Sequence, residues 1–293
     1  MLNRRLLQPL EQAVSNHLGR AWRVGTAEDM SDFACHPCAI LSDGSFAVFA
    51  KYSEAADADK QFEIERVSLQ FLSEKAGVLT PTPVGIVPAA DGTLFVMEAV
   101  QPIERGPGQW RQIGRTLARI HRVTSDEFGF PMDSYFGPLF QDNAPMEDWI
   151  GFYAERRLRP RLRLAIERGT IPPSVVSQVE SVIDRLPELG GPEVKPTLVH
   201  GDAQQNNFIS TADGAYVIDP AIYYGHPELD LASLGYWQPV PDEVYDGYRE
   251  EMPIPPGFSE RRDLWRISGY LAAVAVEGAA YLDRLTEALR PYV

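Results

Sequence analysis

Three side chains whose oxygen atoms can bind a metal ion lie at or near the ends of short apolar runs in the second half of the sequence. Asp202 closes the segment LVHGD at 198–202, Asn207 follows five residues later, and Asp219 closes the segment AYVID at 215–219. A hairpin would place Asn207 beside Asp219, with Asp202 opposite. An amide oxygen and a carboxylate oxygen are suitable ligands for Mg²⁺. A third side chain, a carboxylate that does not bind the metal, can accept the proton of a substrate hydroxyl. Each residue alone is typical of a strand end, but their spacing predicts phosphoryl transfer from a nucleotide.

Such chemistry also needs a cation near the nucleotide phosphates. Lys51 ends the apolar run SFAVFAK, and no GxxxxGK[ST] motif is present, which excludes a P-loop. Glu65 falls on the same helical face as Phe62 and Leu69, and a buried carboxylate needs a counter-charge. The sequence therefore predicts an ion pair between Lys51 and Glu65, with Glu63 pointing to solvent.

The elements that position these residues begin with a β-rich part. Its periodicity predicts an N-terminal amphipathic helix, strands at 21–27, 33–41, 45–52, 80–88 and 93–100, and a helix at 58–76 that ends at Gly77. The Pro/Gly-rich segment at 101–108 is a predicted hinge. Backbone groups just before it, near Glu98 and Val100, can hydrogen-bond the edge of an adenine ring.

The sequence after the hinge is predicted to be mainly helical. Helices are expected at 109–124, 147–168, 173–187, 228–236, 242–251 and 259–289, with short strands at 197–199, 207–210 and 215–218. A long loop at 125–146 separates the first two helices. The pattern predicts an α+β fold with two lobes. A nucleotide-binding lobe with a small antiparallel sheet spans 1–100, the hinge spans 101–108, and a larger, mainly helical lobe for catalysis and acceptor binding spans 109–293.

The composition excludes some classes of function. With 44% hydrophobic residues among 293, the chain can bury a substantial core. A formal charge of −14 argues against nonspecific binding to nucleic acid, and fits either a cationic small substrate or solubility alone. No run approaches about 18 consecutive apolar residues, so no membrane span is expected. The N-terminus lacks the apolar core of a signal peptide, so a cytoplasmic location is expected. A monomer is favoured over an oligomer.

Cys35 and Cys38 form a C-x-x-C pair, a spacing found in redox dithiols and in halves of zinc sites. A zinc site needs two further ligands, and the histidines of the chain are not spaced as a ligand pair. A redox dithiol usually lies at a helix N-terminus, whereas a predicted strand follows here. Two incidental thiols are therefore favoured, with a redox switch as the alternative.

Several motifs resemble one protein superfamily. LVHGDAQQNN at 198–207, YVIDPAIYYGHPELDLA at 216–232, the strand lysine and the helix glutamate resemble the protein-kinase-like aminoglycoside phosphotransferases. DEFGFPMDSYFGP at 126–138 and DWIGFYAERRLRPRL at 148–162 are similar, more specifically, to the fructosamine kinase (ketosamine-3-kinase) family. The resemblance extends from about residue 20 to 285.

This resemblance implies a protein-kinase-like fold and a role for each candidate residue. Asp202 is then the catalytic base, and Asn207 and Asp219 bind Mg²⁺. Lys51 and Glu65 position the phosphates of ATP. The implied reaction transfers the γ-phosphate of ATP to the 3-hydroxyl of a sugar-derived ketoamine, such as a fructosamine or a ribulosamine.

The resemblance also implies supporting residues and leaves the acceptor open. His200 and Asp230 are expected to brace the catalytic loop rather than to touch substrate. The family loop usually reads His-Gly-Asp-Leu-Trp-x-Gly-Asn, and Gln204 here replaces the Trp, which removes an aromatic wall next to the base. The alternatives are an aminoglycoside or amino-alcohol phosphotransferase, and a non-catalytic scaffold that binds nucleotide.

The acceptor pocket is expected to involve the long loop at 125–146. Tyr135, Trp149 and Trp237 are candidate wall residues, and core packing is the alternative for each of them. Glu228 is either a stabilising charge at a helix N-terminus or a contact to the acceptor.

Overall fold

A five-stranded antiparallel sheet forms the core of the N-terminal part of the chain. The computed structural model describes residues 4–31 and 36–293. The N-terminal elements are α1 (Arg4–Leu18), β1 (Thr26–Asp29), β2 (Cys38–Ser42), β3 (Ala47–Ser53), α2 (Ala58–Ala76), β4 (Pro83–Ala89) and β5 (Gly92–Glu98). The strand order is β1-β2-β3-β5-β4. The predicted strand at 33–41 begins outside the described residues, and β2 covers its C-terminal part.

The two faces of this sheet are covered by different helices, because side chains alternate along each strand. Val48 and Ala50 of β3 are buried in a cluster with the apolar face of α1. Phe49 points the other way and packs in a cluster with Phe62 of α2. Lys51 lies on the α2 side by the same alternation, which brings its amine next to that helix.

The rest of the chain is mainly helical, with three short antiparallel strand pairs. Its elements are α3 (Pro107–His121), β6 (Ser134–Phe136), β7 (Leu139–Gln141), α4 (Trp149–Phe152), α5 (Arg159–Glu167), α6 (Pro173–Asp184), α7 (Leu186–Leu189), β8 (Thr197–Val199), β9 (Phe208–Ser210), β10 (Ala215–Val217), β11 (Tyr223–Gly225), α8 (Pro227–Ser233), α9 (Asp242–Arg249), α10 (Phe258–Glu277) and α11 (Leu282–Leu289). Strand β6 pairs with β7, β8 with β11, and β9 with β10.

The small antiparallel sheet followed by a larger helical part is the predicted α+β fold with two lobes. The helical part has one large apolar core, in which Phe152, Phe208 and Trp265 are buried. The residue boundaries expected for the lobes, at 1–100 and 109–293, and for the hinge stay predictions. None of the helices in the described part of the chain is long and apolar enough to cross a membrane.

The end of α2 is where the sequence predicted it. Gly77 has a φ of 63°, in the left-handed region that glycine adopts without a Cβ clash. Its N–H donates to the Ser73 carbonyl at 3.1 Å, which closes the last turn of the helix.

The predicted strand at 21–27 is wrong over most of its length, because β1 covers only its end. The Trp22 N–H donates to Ser15 Oγ at 3.0 Å, and the Val24 N–H donates to Glu11 Oε1 at 3.0 Å. Both acceptors are side chains of α1. These backbone donors are therefore taken by the helix and do not extend the sheet.

Three predictions for the helical part also need correction. The predicted helix at 259–289 is two helices, because Gly278 ends α10 with a φ of 88°. The predicted helix at 147–168 begins at Trp149 and contains a π-helical segment at Tyr153–Leu158. The long loop contains the hairpin of β6 and β7. Strand β11 is absent from the predictions, because its pairing with β8 depends on a distant segment.

Glu228 lies at a helix N-terminus, as one of the two sequence hypotheses expected, and it also has a role in the interior that neither proposed. Its side chain is fully buried in the first turn of α8. It accepts hydrogen bonds from Arg261 Nε at 2.9 Å and Nη2 at 2.5 Å, and from Trp265 Nε1 at 2.8 Å. Its carboxylate therefore ties α8 to α10 through an interior ion pair.

Replacement of Glu228 should destabilise the protein strongly. We expect Glu228→Ala to lower the free energy of unfolding by about 3–5 kcal/mol, because the largely covered Arg261 loses its counter-charge and the buried Trp265 Nε1 loses its acceptor. Chemical denaturation followed by circular dichroism measures this change. The matched control is Glu155→Ala, whose exposed partner Arg159 lies at 2.8 Å and whose loss should change stability by less than about 1 kcal/mol. Equal changes for the two variants would contradict the prediction.

Candidate active site

Lys51 joins the sheet lobe to the helical lobe through two carboxylates. Its Nζ donates to Glu65 Oε1 of α2 at 2.7 Å, so the predicted ion pair is confirmed. The same ammonium also contacts Asp219 Oδ1, which follows β10 in the helical lobe. Only 5% of Lys51 is exposed. Glu63, by contrast, has 52% of its side chain exposed, in accordance with its predicted position.

The three charges shift one another's pKa values. Burial lowers the pKa of Lys51, but the charges of Asp219 and Glu65 outweigh burial and raise that pKa above its ordinary value. Burial raises the pKa of Glu65 to about 7, against the opposing effect of Lys51. Burial would also raise the pKa of Asp219, but Lys51 lowers it on balance. Asp219 is therefore an ionised carboxylate at neutral pH.

The hairpin of β9 and β10 brings Asn207 next to the residue before Asp219. Phe208 pairs with Val217, and the Ile218 N–H donates to the Asn207 carbonyl at 3.0 Å. Asp219 has a φ of 53°, a conformation that is uncommon in residues other than glycine. Strained backbone of this kind concentrates at functional sites. The geometry thus makes Asp219 a candidate functional residue independently of its charge.

Asp202 and Asn207 are held together in the loop between β8 and β9. Asn207 Nδ2 donates to the Asp202 carbonyl at 2.7 Å and to Asp202 Oδ2 at 3.1 Å. Because its amide nitrogen is used in this way, the Asn207 side chain presents Oδ1 to other ligands. No donor in the described residues reaches that oxygen.

The surroundings of Asp202 suit a proton acceptor. Burial raises the pKa of Asp202 to about 7, and the charge of Asp219 adds to the rise. The hydrogen bond from Asn207 opposes it. A carboxylate whose pKa lies near neutral pH combines a substantial ionised fraction with useful basicity.

Asp230 braces the loop that carries Asp202, as expected. Its Oδ2 accepts from the His200 N–H at 2.6 Å and its Oδ1 from the Gly201 N–H at 3.0 Å. Gly201 has a φ of 82°, and a Cβ there would lie 2.1 Å from the Ala221 carbonyl oxygen. Only glycine therefore fits in this turn, because any Cβ would clash with the Ala221 carbonyl before β11.

Two histidines extend this support. His121 of α3 contacts Asp230 Oδ2 through Nε2 at 3.1 Å and the Tyr248 hydroxyl through Nδ1 at 2.8 Å. His200 contacts the Ile218 carbonyl through Nε2 at 3.0 Å and accepts from the Asp202 N–H through Nδ1 at 3.2 Å. His200 therefore links the Asp202 loop to the strand end that carries Asp219. Sequence reasoning did not find His121, since its only signal was a histidine on the apolar face of α3.

The connector after β5 offers backbone groups rather than side chains to the cleft. Glu98 pairs with Val48 and shares its side of the sheet, opposite Lys51, and the Glu98 carboxylate lies 3.3 Å from His17 Nε2 of α1. The N–H of Val100 makes no hydrogen bond within the described residues. Contacts of Glu98 and Val100 with an adenine ring stay predictions.

The candidate wall residues have different surroundings. Trp149 is buried and stacks on Phe152 with a ring centroid distance of 5.8 Å, so core packing accounts for it. The Tyr135 hydroxyl donates to Asp57 Oδ2 at 2.7 Å. Trp237 is half-buried and lines a cavity in the helical lobe.

Cys38 is a poor candidate for a reactive thiol. It is buried on β2 opposite Lys51, and burial raises the pKa of its thiol, which disfavours the reactive thiolate. Cys35 lies outside the described residues, so a redox role for the pair stays a prediction. Within residues 4–31 and 36–293, no group of three or more His, Cys, Asp or Glu side chains is arranged to hold a metal ion.

Known proteins are similar to this chain in sequence and in fold. A sequence model described as "Fructosamine kinase" matches residues 6–293. The chain belongs to the fructosamine kinase family. It is 31% identical over 238 residues to a chloroplastic protein-ribulosamine 3-kinase of Oryza sativa subsp. indica, covering 79% of this chain and 68% of the relative.

Solved structures of fructosamine kinase relatives have the same fold. The crystal structure of a candidate fructosamine-3-kinase from Thermobifida fusca is similar with a TM-score of 0.84 and 32% identity, covering 96% of this chain and 97% of that one. The aminoglycoside phosphotransferase APH(4)-Ia is similar with a TM-score of 0.61 and 15% identity, covering 96% and 99%. The latter supports the kinase-like fold alone. As a member of the fructosamine kinase family, the chain is a phosphotransferase that acts on a hydroxyl group.

The bracing role of Asp230 can be tested without touching the candidate base. We expect Asp230→Asn to lower kcat at least about tenfold with little change in the KM for nucleotide, because a small displacement of the Asp202 loop lowers the rate. Steady-state kinetics on protein checked for folding by circular dichroism measures this. Asp283→Asn, at an exposed position, is the matched control. A wild-type kcat in a folded Asp230→Asn protein would contradict the prediction.

Proposed function

We propose that this chain transfers the γ-phosphoryl group of ATP to a hydroxyl of a sugar-derived ketoamine, as fructosamine and ribulosamine 3-kinases do. One observation carries the proposal. Lys51 of the sheet lobe contacts Asp219 of the helical lobe, beside the loop that holds Asp202 and Asn207. The membership of the fructosamine kinase family and the name of the rice relative support the choice of acceptor.

Lys51 is the cation for the phosphates in this mechanism. Glu65 fixes the ammonium from the α2 side, so that the side chain does not have to be ordered when nucleotide binds. Its buried position strengthens its attraction to phosphate oxygens. The backbone of the connector near Glu98 and Val100 would bind the adenine edge, and the free N–H of Val100 is suited to that role.

The oxygen donors near Asp219 fit Mg²⁺. Asn207 Oδ1 and an ionised Asp219 carboxylate form a hard-oxygen pair, and Mg²⁺ typically binds one or two protein oxygens together with phosphates and waters. Asn207 and Asp219 would hold the ion. When bound, Mg²⁺ would neutralise charge on the phosphate oxygens during transfer.

Asp202 acts on the acceptor. Its carboxylate orients the acceptor hydroxyl and takes its proton as the oxygen bonds to the γ-phosphorus and the bond to the ADP oxygen breaks. Asn207 fixes Oδ2 of the carboxylate, and Oδ1 would accept the proton of the hydroxyl. His200, Asp230 and Gly201 hold the loop in position for this step.

Replacement of Asp202 tests the proposed chemistry. With ATP, Mg²⁺ and a small fructosamine, wild-type protein should release ADP, and Asp202→Asn should lower kcat at least about 10²-fold because the proton acceptor is lost. A coupled assay for ADP with mass spectrometry of the sugar product measures both. Asp184→Asn, at the exposed end of α6, should retain wild-type kcat.

Other outcomes of this assay identify the alternatives. Full ADP release by Asp202→Asn with a true acceptor would exclude the mechanism. ADP release only with aminoglycosides or amino alcohols would assign a different acceptor class. A thermal shift with ATP but no turnover on any acceptor would indicate a nucleotide-binding scaffold.

Replacement of Asp219 tests the proposed metal ligand. Asp219→Ala should abolish turnover of Mg²⁺-ATP at every Mg²⁺ concentration, because the site loses its one ionised ligand. A Mg²⁺ titration of activity, paired with the thermal shift caused by Mg²⁺-ATP, measures this. Asp184→Ala, at the exposed end of α6, is the control, with an unchanged Mg²⁺ dependence. Wild-type activity of Asp219→Ala over the same titration would remove Asp219 from the metal site.

A further inference from the structure

The cavity that Trp237 lines, of about 370 Å³, lies in the helical lobe among α9, α10, α11 and the loop after α8. Its lining combines positive charge with aromatic surface. The residues that matter here are Arg262, Arg266, Arg284, Tyr236, Trp237 and Tyr270.

The arginines of this cavity have more N–H donors than there are acceptors for them among the described residues. Arg262 makes no hydrogen bond or ion pair within the described residues, and its buried Nε has no partner. Arg266 bonds two backbone carbonyls and lies 3.3 Å from Asp263. Arg284 bonds backbone carbonyls alone. Each guanidinium has five N–H donors, so most of the donors remain free. The lining includes one carboxylate, that of Asp242, which is exposed.

The cavity is connected to the loop that carries the candidate base. Gln205, in that loop, donates from Nε2 to the Gln238 carbonyl of the cavity wall at 3.0 Å. Tyr236 lines the cavity and packs on Tyr270 with a ring centroid distance of 5.4 Å. Burial raises the pKa of Tyr236, and the negative charge of Asp202 adds to the rise. The hydrogen bond between Gln205 and Gln238 therefore joins the cavity wall directly to the loop of the base.

We propose that this cavity binds an anionic group, a carboxylate or a phosphate, of the acceptor whose hydroxyl is presented to Asp202. The assignment rests on the proposed function and narrows its acceptor class. Guanidinium groups bind oxyanions through paired N–H donors, and the rings of Tyr236 and Trp237 offer apolar surface to the carbon skeleton.

The overall charge of the protein does not oppose this assignment. The formal charge of −14 belongs to the whole chain, whereas the three arginines of the lining outnumber its one carboxylate and set the local field. A ketoamine formed from a free amino acid carries a carboxylate, and one formed from a sugar phosphate carries a phosphate. Both present the same oxyanion chemistry to the arginines.

Matched acceptors test the selectivity. Three acceptors differ in where they place an anion. The fructose ketoamine of glycine has a carboxylate on its amine side, and that of glycinamide has neither a carboxylate nor a phosphate. The 6-phosphate of the glycinamide ketoamine has a phosphate on its sugar side. We expect wild-type kcat/KM for one of the anionic acceptors to exceed that for the neutral-tailed one at least about tenfold, the usual gain from charged hydrogen bonds. The better of the two identifies the source of the anion.

Arg262 is the residue to vary, because its replacement breaks no hydrogen bond within the described protein. Arg262→Gln should bring the kcat/KM ratio of the anionic to the neutral acceptor close to one, and Arg262→Lys should restore part of it. Arg163→Gln makes the same charge change at an exposed site on α5 and should leave the ratio unchanged. Equal use of all three acceptors by wild-type protein would overturn the selectivity while the proposed function stands. No ADP release with any ketoamine would overturn both.

A binding measurement separates the cavity from turnover. Inorganic phosphate titrated into the protein by calorimetry should bind wild type and Arg163→Gln alike, and Arg262→Gln at least about threefold more weakly. Identical binding by all three proteins would overturn the anion site, whatever the enzyme turns over.

Discussion

The structure depends on one ammonium group shared between two lobes. Lys51 is buried, and a buried charge is stable only with counter-charges and hydrogen bonds. Glu65 supplies these from α2 of the same lobe, and Asp219 supplies them from the strand end of the other. The sheet, the helix on it and the hairpin of the helical lobe must therefore meet at this point. The same contact sets the distance between the proposed phosphate-binding cation and the proposed metal ligand.

Rigid support behind the cleft complements that contact. The loop that carries Asp202 is fixed from behind by Asp230 and by His200, and Asp230 is held in turn by His121 of α3. Such a chain of buried, satisfied polar groups limits the movement of the loop. The positive φ of Asp219 is sustained by the same packed surroundings. Preorganised side chains of this kind need little rearrangement at the moment of reaction.

Charge is distributed unevenly over this acidic protein. The helical lobe concentrates three arginines around one cavity, and acceptors among the described residues use only a minority of their donors. A second arginine site, at Arg261, is paired through Nε and Nη2 with the buried carboxylate of Glu228. The contrast separates a guanidinium that stabilises the fold from guanidinium groups that are available to a ligand. The net charge of the chain predicts neither the paired arginine nor the cavity arginines.

Local chemistry determined what could be read from the sequence, and long-range contacts determined the rest. Helical periodicity placed Glu65 on the apolar face of α2, and a glycine marked the end of that helix, because both depend on residues within a few positions. The loop spacing that joins Asp202 to Asn207 is local in the same sense. Only the tertiary structure decided that Lys51 reaches Asp219, that Glu228 pairs with Arg261, and that the arginines of α10 and α11 line one cavity. Those partners are far apart in the chain, and only the packing of whole elements brings them together.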